Sequence, residues 1–437
     1  MAIRGEWALT AAISVWAAVL TLTVYPGEMT PDVFDQFAQG KAWTFNNAHP
    51  VLLSAFHGLS NALIGGPGLV FVAQMALGAA ALVAAVWTLV PKTTFAQIAF
   101  GILALNPLLW AQWLAIWKDT WLTICLLLGF AALKKGWSAA AIAAFAFMCC
   151  FRHNGITAIL PLAVWLAVSK TDVPWKGAGW AAAMLLAAFL APKALDRALT
   201  VAEAHPASPT FVFDVAGVYV RDPQAFREGP YAKTLKLSVI RERYQPLTAR
   251  YLTSNSRGLR GWRLEDMEPA APYATLETEW KRVLLAYPGA YVAHRAAFAQ
   301  AFFGIQERNQ LDRFARATQP RDDGMGPNPN TWPYHAWGGL RDVVAGPQAR
   351  GIWWALLFFA LTIDVLRRRD GFGIAVALSA WIYALGNLAL APSSPFRYHM
   401  PSVIACLVLL PTAVDAWTLN RRPSATPAQT TPPRPAP

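Results

Sequence analysis

Apolar residues in this chain come in long blocks separated by short polar stretches, and this arrangement restricts the fold more than any other feature. Ten such runs occupy Trp7–Val24, Leu69–Val90, Phe95–Trp110, Thr120–Leu133, Trp137–Phe151, Ile156–Val168, Ala178–Leu195, Ile352–Leu366, Phe372–Leu390 and Pro401–Leu419. Each approaches the ~20 residues a helix needs to cross a hydrocarbon core, and several fall short of it. The expectation is an all-α polytopic membrane protein of about ten transmembrane helices. Charged residues make up 14% of the chain and mean hydropathy is +0.33, whereas soluble domains are about a quarter charged. That composition argues against an ordinary cytosolic enzyme. The 20 Trp residues suit a protein anchored at two membrane–water interfaces. The first run is too long for a signal-peptide core, and Val24-Tyr25-Pro26-Gly27-Glu28 is no cleavage site, so it reads as an uncleaved span.

Basic residues set the orientation. Lys92, Lys134-Lys135, Lys170 with Lys176, Arg367-Arg368-Arg369 and Arg421-Arg422 fall on one side of a ten-span chain, which marks that side as cytoplasmic. Two further apolar stretches, His49–Gly66 and Tyr287–Ile305, are interrupted by polar residues (His57, Ser60 and Asn61 in one, His294-Arg295 in the other). Counting either alone as a span puts basic clusters outside, so both read as helices lying in the outer interface or packed on an external domain. The chain then divides into an N-terminal transmembrane module (1–195) with a first outer loop at 25–68, an α-rich external domain (196–350), C-terminal transmembrane helices (351–420) and a Pro-rich cytoplasmic tail (421–437) of disordered composition.

Net charge is +12, but its distribution argues against nucleic acid. Asp196 to Asp342 holds 19 basic and 16 acidic residues, and the remainder 18 and 9. The excess lies between apolar runs, as topology signals do, and not on an aromatic-studded soluble face. The four cysteines, Cys125, Cys149, Cys150 and Cys406, all lie in apolar runs with neither a disulfide framework nor metal spacing. No phosphate-binding loop, dinucleotide fingerprint, zinc-peptidase helix or nucleophile elbow is present.

Ionisable groups at membrane boundaries are costly and usually functional. Glu28, Asp32, Asp35 and Asp119 fall on the outer side near span ends, with His49, Lys118, Arg152, His153, Arg397, Tyr398 and His399. Asp32 and Asp35 are three apart, so one helical face can present both, either as a base for an acceptor hydroxyl or as metal ligands. The alternative is a helix cap at Thr30 or Asp32 with Asp35 in the first turn. Lys118 can hold a phosphate and Asp119 can orient it; the alternative is an interfacial ion pair. Arg152-His153-Asn154-Gly155 separates two limbs of about 15 residues, too short for full crossings. Arg152 therefore lies below the lipid surface and calls for an anionic partner, unless it snorkels. Arg397 and Tyr398 can grip phosphate or sugar, or belong to an interfacial belt. His49 and His57 share a helical face, a weak basis for a metal site.

The order of these features resembles the polytopic type C glycosyltransferases (GT-C), above all bacterial relatives of the protein-mannosyltransferase and aminoarabinose-transferase families. The features are an uncleaved span, an outer loop with Asp and Gln, His-Pro, Lys-Asp before a span, Arg-x-Asn-Gly, and Arg-Tyr before the last span. The resemblance covers most of residues 20–405. It implies a polyprenyl-phosphate-linked sugar donor and a glycan, lipid or protein acceptor. It places the site on the periplasmic face of the inner (cytoplasmic) membrane. It also implies a loop acid, matched by Asp32 and Asp35, and basic groups near the lipid phosphate, matched by Lys118, Arg152 and Arg397. Gln36, His49, Asp119, His153, Asn154 and Tyr398 fall in the matching segments as substrate-binding candidates. Family members often carry two adjacent acids in the first loop, whereas Val33-Phe34 separates them here, so the choice between Asp32 and Asp35 stays open. No resident cofactor or metal ligand set is read, although a carboxylate pair can recruit a divalent cation. The competing readings are a flippase for lipid-linked saccharides, which needs polar groups along a path through the bilayer, and a non-catalytic subunit of an envelope-assembly complex.

Overall fold

The computed structural model describes residues 2–169, 174–199, 201–253, 272–305, 326–328 and 330–420; the tail at 421–437, Lys170 and parts of 196–350 lie outside the described residues. Each of the ten apolar runs folds as helix. The first half comprises α1 (Ala2–Val24), α2 (Pro31–Ala42), α3 (Val51–Ile64), α4 (Gly68–Thr88), α5 (Thr94–Ala104), α6 (Pro107–Trp113), α7 (Lys118–Lys134), α8 (Ser138–Phe151), α9 (Ile156–Ser169) and α10 (Pro174–Ala198). Then come α11 (Ser208–Arg221), α12 (Pro223–Glu228), α13 (Leu237–Arg243), α14 (Arg250–Thr253), α15 (Pro272–Ala286) and α16 (Pro288–Phe302). The chain closes with α17 (Trp332–Leu340), α18 (Gly351–Arg368), α19 (Gly371–Leu390) and α20 (Met400–Asn420). Among the described residues there is no strand, only isolated bridges.

Five helices are long and apolar enough to cross a membrane, or up to seven if each of two bent pairs is one span. One bent pair is α5 with α6, which meet at 46°. The break has a local cause: Asn106 ends the first limb and its side chain caps the second, accepting from Leu108 N at 2.8 Å, with Pro107 at the first helical position. The other pair joins Trp332–Gln348 to α18 at 59°. Large apolar side chains stand exposed on the bundle surface, among them Val15, Leu22, Ile98, Ile102, Phe189 and Phe359. Water does not tolerate so wide an apolar surface, and a bilayer does. This is a multi-pass membrane protein.

Two hydrophobic cores organise the chain. The larger surrounds α7, whose residues Thr120–Leu127 and Gly129–Leu133 are all buried; α4, α8 and α20 pack on it. The smaller joins α11, α15 and α16 through Val212, Phe213, Tyr219, Leu276, Phe298 and Phe302, and takes in Ala391 and Tyr398 from the last loop. Tyr334, Trp337, Ala345 and Ala349 belong to the larger core, so the stretch after residue 330 packs with the apolar helices. The Tyr287–Ile305 run becomes α16, packed on α11 and α15, and the His49–Gly66 run becomes α3, packed on α2.

Charged groups collect at opposite ends of the bundle. At one end Lys92 faces Glu6 at 3.8 Å, Thr93 bonds Asp415 at 2.7 Å, Arg368 pairs with Asp364 at 2.6 Å and Lys134 lies 5.0 Å from the Phe372 ring centre. The ends of α7 and α19 remote from these groups carry the site described next.

Candidate functional site

Because α7 runs through the middle of the larger core, its first residues, Lys118 and Asp119, emerge centrally at one end of the bundle. The chain entering α7 is fixed from two sides. Gln74 of α4, fully buried, donates from Nε2 to the carbonyls of Trp113 (2.7 Å) and Ala115 (3.0 Å). The first loop pairs along the same stretch, with Glu28 N donating to Leu114 O at 3.0 Å and Ile116 N to Glu28 O at 3.1 Å. Trp117 Nε1 then donates to Thr30 Oγ1 at 2.8 Å, immediately before Pro31 opens α2. These bonds set Asp32, one residue into that helix, beside the start of α7.

Three cations and two carboxylates meet there. Asp119, 4% exposed, lies between two guanidiniums: its Oδ1 is 2.7 Å from Arg152 Nη1 and its Oδ2 is 3.5 Å from Arg397 Nε. Arg397 reaches on to Asp32, Nη2 to Oδ2 at 3.3 Å. Lys118 Nζ donates to His49 Nδ1 at 2.6 Å. The Tyr398 ring stands 5.0 Å from the Arg152 guanidinium and 5.7 Å from that of Arg397, and the Trp117 ring lies 4.7 Å from Arg397. Aromatic faces so placed stabilise the cations without consuming their hydrogen bonds. The residues come from four separate parts of the chain: the first outer loop (Asp32 and His49), the start of α7, the turn at Arg152 and the last loop.

The electrostatics separate the two ends of this chain of charges. Burial acts to raise Asp32, but Arg397 and then Lys118 outweigh it and hold its carboxyl down at about 2. Asp32 is the exposed end, with 40% of its side chain open against 14% for Arg397 and 11% for Arg152. Burial, with the charge of Lys118 next, brings His49 down to about 4. His49 is therefore neutral, and since an ammonium only donates, its proton sits on Nε2. Glu28 differs: 2% exposed, it is pushed up to about 7 by burial against the pull of Arg341, which is 3.9 Å away.

The remaining sequence candidates are distributed unevenly. Asn154 is exposed, accepts from Arg152 Nε at 3.0 Å and donates to Asn387 Oδ1 at 3.4 Å. His153 is exposed beside it. Gln36 is buried one turn after Asp32, and its Nε2 has no partner among the described residues. Asp35 is exposed; its carboxylate accepts from Gln39 Nε2 at 2.7 Å and it joins none of the ion pairs described above. His57 is buried against the Phe37 ring at 5.7 Å, apart from His49, which faces Lys118. His399 turns from the cluster and bonds the Phe302 carbonyl at 2.7 Å. Among the described residues no three His, Cys, Asp or Glu side chains gather as metal ligands. Sequence reasoning missed Thr30, Trp117 and Asn387 as parts of the site. Asn387 was detectable as a polar residue inside an apolar run; Trp117 and Thr30 carry no such signal.

The arrangement offers one buried cation, Arg152, two half-buried ones, Lys118 and Arg397, and a more open carboxylate, Asp32. That suits an anion among the cations and a proton acceptor beside it. No protein-family model matches the chain, and no curated protein or solved structure matches it significantly.

Proposed function

We propose that this protein is an integral-membrane glycosyltransferase of the GT-C kind, with ten membrane spans. In this reading it moves a sugar from a polyprenyl-phosphate donor to an acceptor hydroxyl on the outer face of the cytoplasmic membrane. The observation that carries the reading is the convergence of Lys118, Arg152 and Arg397 around Asp119 at one end of the bundle, with Asp32 as the exposed end of the set. Helix lengths support it. α8 and α9 have 14 residues each and rise about 21 Å, short of a ~30 Å hydrocarbon layer. Spans this short sink Arg152 below the lipid surface, the depth at which the phosphate of a lipid-borne donor lies.

In the proposed reaction the donor phosphate takes the three cations, and Arg397 leaves Asp32 for it. The pull that keeps Asp32 a weak base is thereby relieved. Asp32 accepts the proton of the acceptor hydroxyl, the hydroxyl oxygen bonds the anomeric carbon from the opposite face, and the carbon–oxygen bond to phosphate breaks. The electron pair leaves with polyprenyl phosphate, an anion already neutralised by Lys118, Arg152 and Arg397.

The test is transfer by purified protein from radiolabelled polyprenyl-phosphate hexoses and pentoses, screened one at a time. One donor is expected to be consumed. Each charge-assisted contact contributes ~1.5–3 kcal/mol, so Arg152→Ala and Arg397→Ala each weaken donor use about tenfold to a hundredfold. Translocation of an intact lipid-linked saccharide in vesicles, with no sugar released from phosphate, would overturn the reading in favour of a flippase.

A further inference from the structure

The loop that carries Arg397 and Tyr398 is fixed less by its own helices than by the smaller core. Helix α19 ends at Leu390, and its last carbonyls lack intrahelical donors, as at any helix end. Two side chains on the helices of the smaller core, α11 and α16, supply them. Thr210 Oγ1 donates to Leu390 O at 2.8 Å, and Arg295 Nη1 donates to Ala391 O at 2.9 Å. Beyond that point Ala249 N bonds Pro392 O at 2.7 Å, Ser394 N bonds Leu247 O at 3.0 Å, and His399 bonds Phe302 O at 2.7 Å.

Arg295 is the charged member of this set. It sits in α16, 11% exposed, with its guanidinium 5.7 Å from the Phe213 ring and 5.4 Å from the Phe298 ring. Asp214, fully buried, holds it at 2.6 Å. Asp214 is itself fixed by Trp280 Nε1 at 2.8 Å and His294 Nε2 at 3.0 Å, and His294 Nδ1 faces the Tyr244 hydroxyl at 2.7 Å. A guanidinium so constrained, aimed at the first residue of the loop, defines where the loop starts.

We propose that Arg295, held by Asp214, is a positioning residue for Arg397. Its charge-assisted bond to the Ala391 carbonyl sets the loop at the height where Arg397 spans Asp32 and Asp119. Those contacts are 3.3 and 3.5 Å, near the limit of an ion pair, so a backbone shift of about 1 Å removes them; misplacements of that size cost up to ~10²-fold in rate. The role assigned to Arg397 rests on the function proposed above, while the positioning itself does not.

Three variants test it: Arg295→Met, which keeps the apolar stem; Arg295→Met with Asp214→Asn, which leaves no buried charge unpaired; and Arg295→Lys. Backbone hydrogen exchange over 391–399 reads the loop directly, and donor KM against acceptor KM and kcat reads its consequence. The first two variants are expected to speed exchange at 394–398 at least tenfold. They should also raise donor KM tenfold or more, with acceptor KM unchanged. Arg295→Lys, which keeps a donor, should recover part of both. If Arg295→Met does not fold, the charge-balanced double variant carries the test. Wild-type exchange and donor KM in that double variant would overturn the proposal, leaving Arg295 only a counterion for Asp214. Absence of any sugar transfer by the wild-type protein sinks the functional reading, and the exchange measurement then decides the positioning by itself.

Discussion

Asp32 and Asp35 lie three residues apart on α2 and end in different surroundings. Asp32 faces Arg397 at 3.3 Å, whereas Asp35 accepts from Gln39 on its own helix. In the proposed reaction the base for the acceptor hydroxyl has to stand where the anomeric carbon and the departing phosphate meet, and of these two residues only Asp32 borders the cations. Asp32→Asn is expected to lower transfer at least about a hundredfold with donor binding retained, and Asp35→Asn to remain within a few-fold of wild type. Normal turnover in Asp32→Asn, measured beside an inactive Asp35→Asn, moves the role to Asp35. Glu28 gives a second prediction, about pH. Its carboxyl lies near 4.5 when the chain is unfolded and about 7 in the fold, so the folded state binds the extra proton between these values. Stability therefore falls as pH rises from about 4.5 through 7 and levels above it, by on the order of 3 kcal/mol. Glu28→Gln should flatten that slope in thermal unfolding at pH 5 to 8, since Arg341 keeps Asp342 at 2.9 Å; an unchanged slope assigns it to another group. Lys118, Arg152 and Arg397 were legible in the sequence because a cation beside an apolar run is conspicuous. The sharing of Asp119 between two arginines was not, because it depends on how three remote segments pack.

The α2–α3 hairpin depends on a close backbone approach. A Cβ on Gly40 would fall 2.1 Å from the Ser54 carbonyl oxygen and 2.5 Å from Gly58 N, so the two helices cross with nothing between them. Overpacking of this kind costs roughly 1–3 kcal/mol, and here it also shifts α2, which carries Asp32. Gly40→Ala is expected to lower the unfolding midpoint and to reduce transfer tenfold or more. Gly66→Ala, where an added Cβ meets nothing within 4 Å, should do neither; equal behaviour of the two variants removes the argument. Helix identity was readable among the described residues, since every long apolar run became helical, one of them as two limbs. Two element-level features were not readable. The α5–α6 break lies inside the Phe95–Trp110 run, where Asn106-Pro107 is the sole sign of it. The packing of Trp337 and Ala345 into the larger core was masked by Arg341, a charge that looks external until Glu28 is seen facing it at 3.9 Å.

At the scale of the whole molecule the two ends of the bundle differ in what their charges do. At the Lys92–Lys134–Arg368 end basic groups stand at helix termini in small pairs, among them Glu6–Lys92 and Asp364–Arg368. At the other end Asp32, Asp119, Arg152 and Arg397 form one connected chain, and the smaller core packs against the loop beside it through Ala391 and Tyr398. Basic termini of the first kind are retained on the cytoplasmic side, so the function proposed above requires the end with the connected chain, and α11–α16 with it, to face outward. This gives the last prediction. Thr278 on α15 and Lys135 at the end of α7 are both exposed, and the four native cysteines are buried, so background labelling is low. In intact cells an impermeant maleimide should label the Thr278→Cys variant, and should label Lys135→Cys only after the membrane is permeabilised. Labelling of Lys135→Cys in sealed cells, with Thr278→Cys protected, inverts the orientation and puts the proposed site on the wrong side for a donor presented outside. Labelling of both without permeabilisation means that an odd number of the helices between these positions fails to cross. The 14-residue α8 and α9 are then the first to reassign, because their ~21 Å rise leaves the largest deficit against the bilayer.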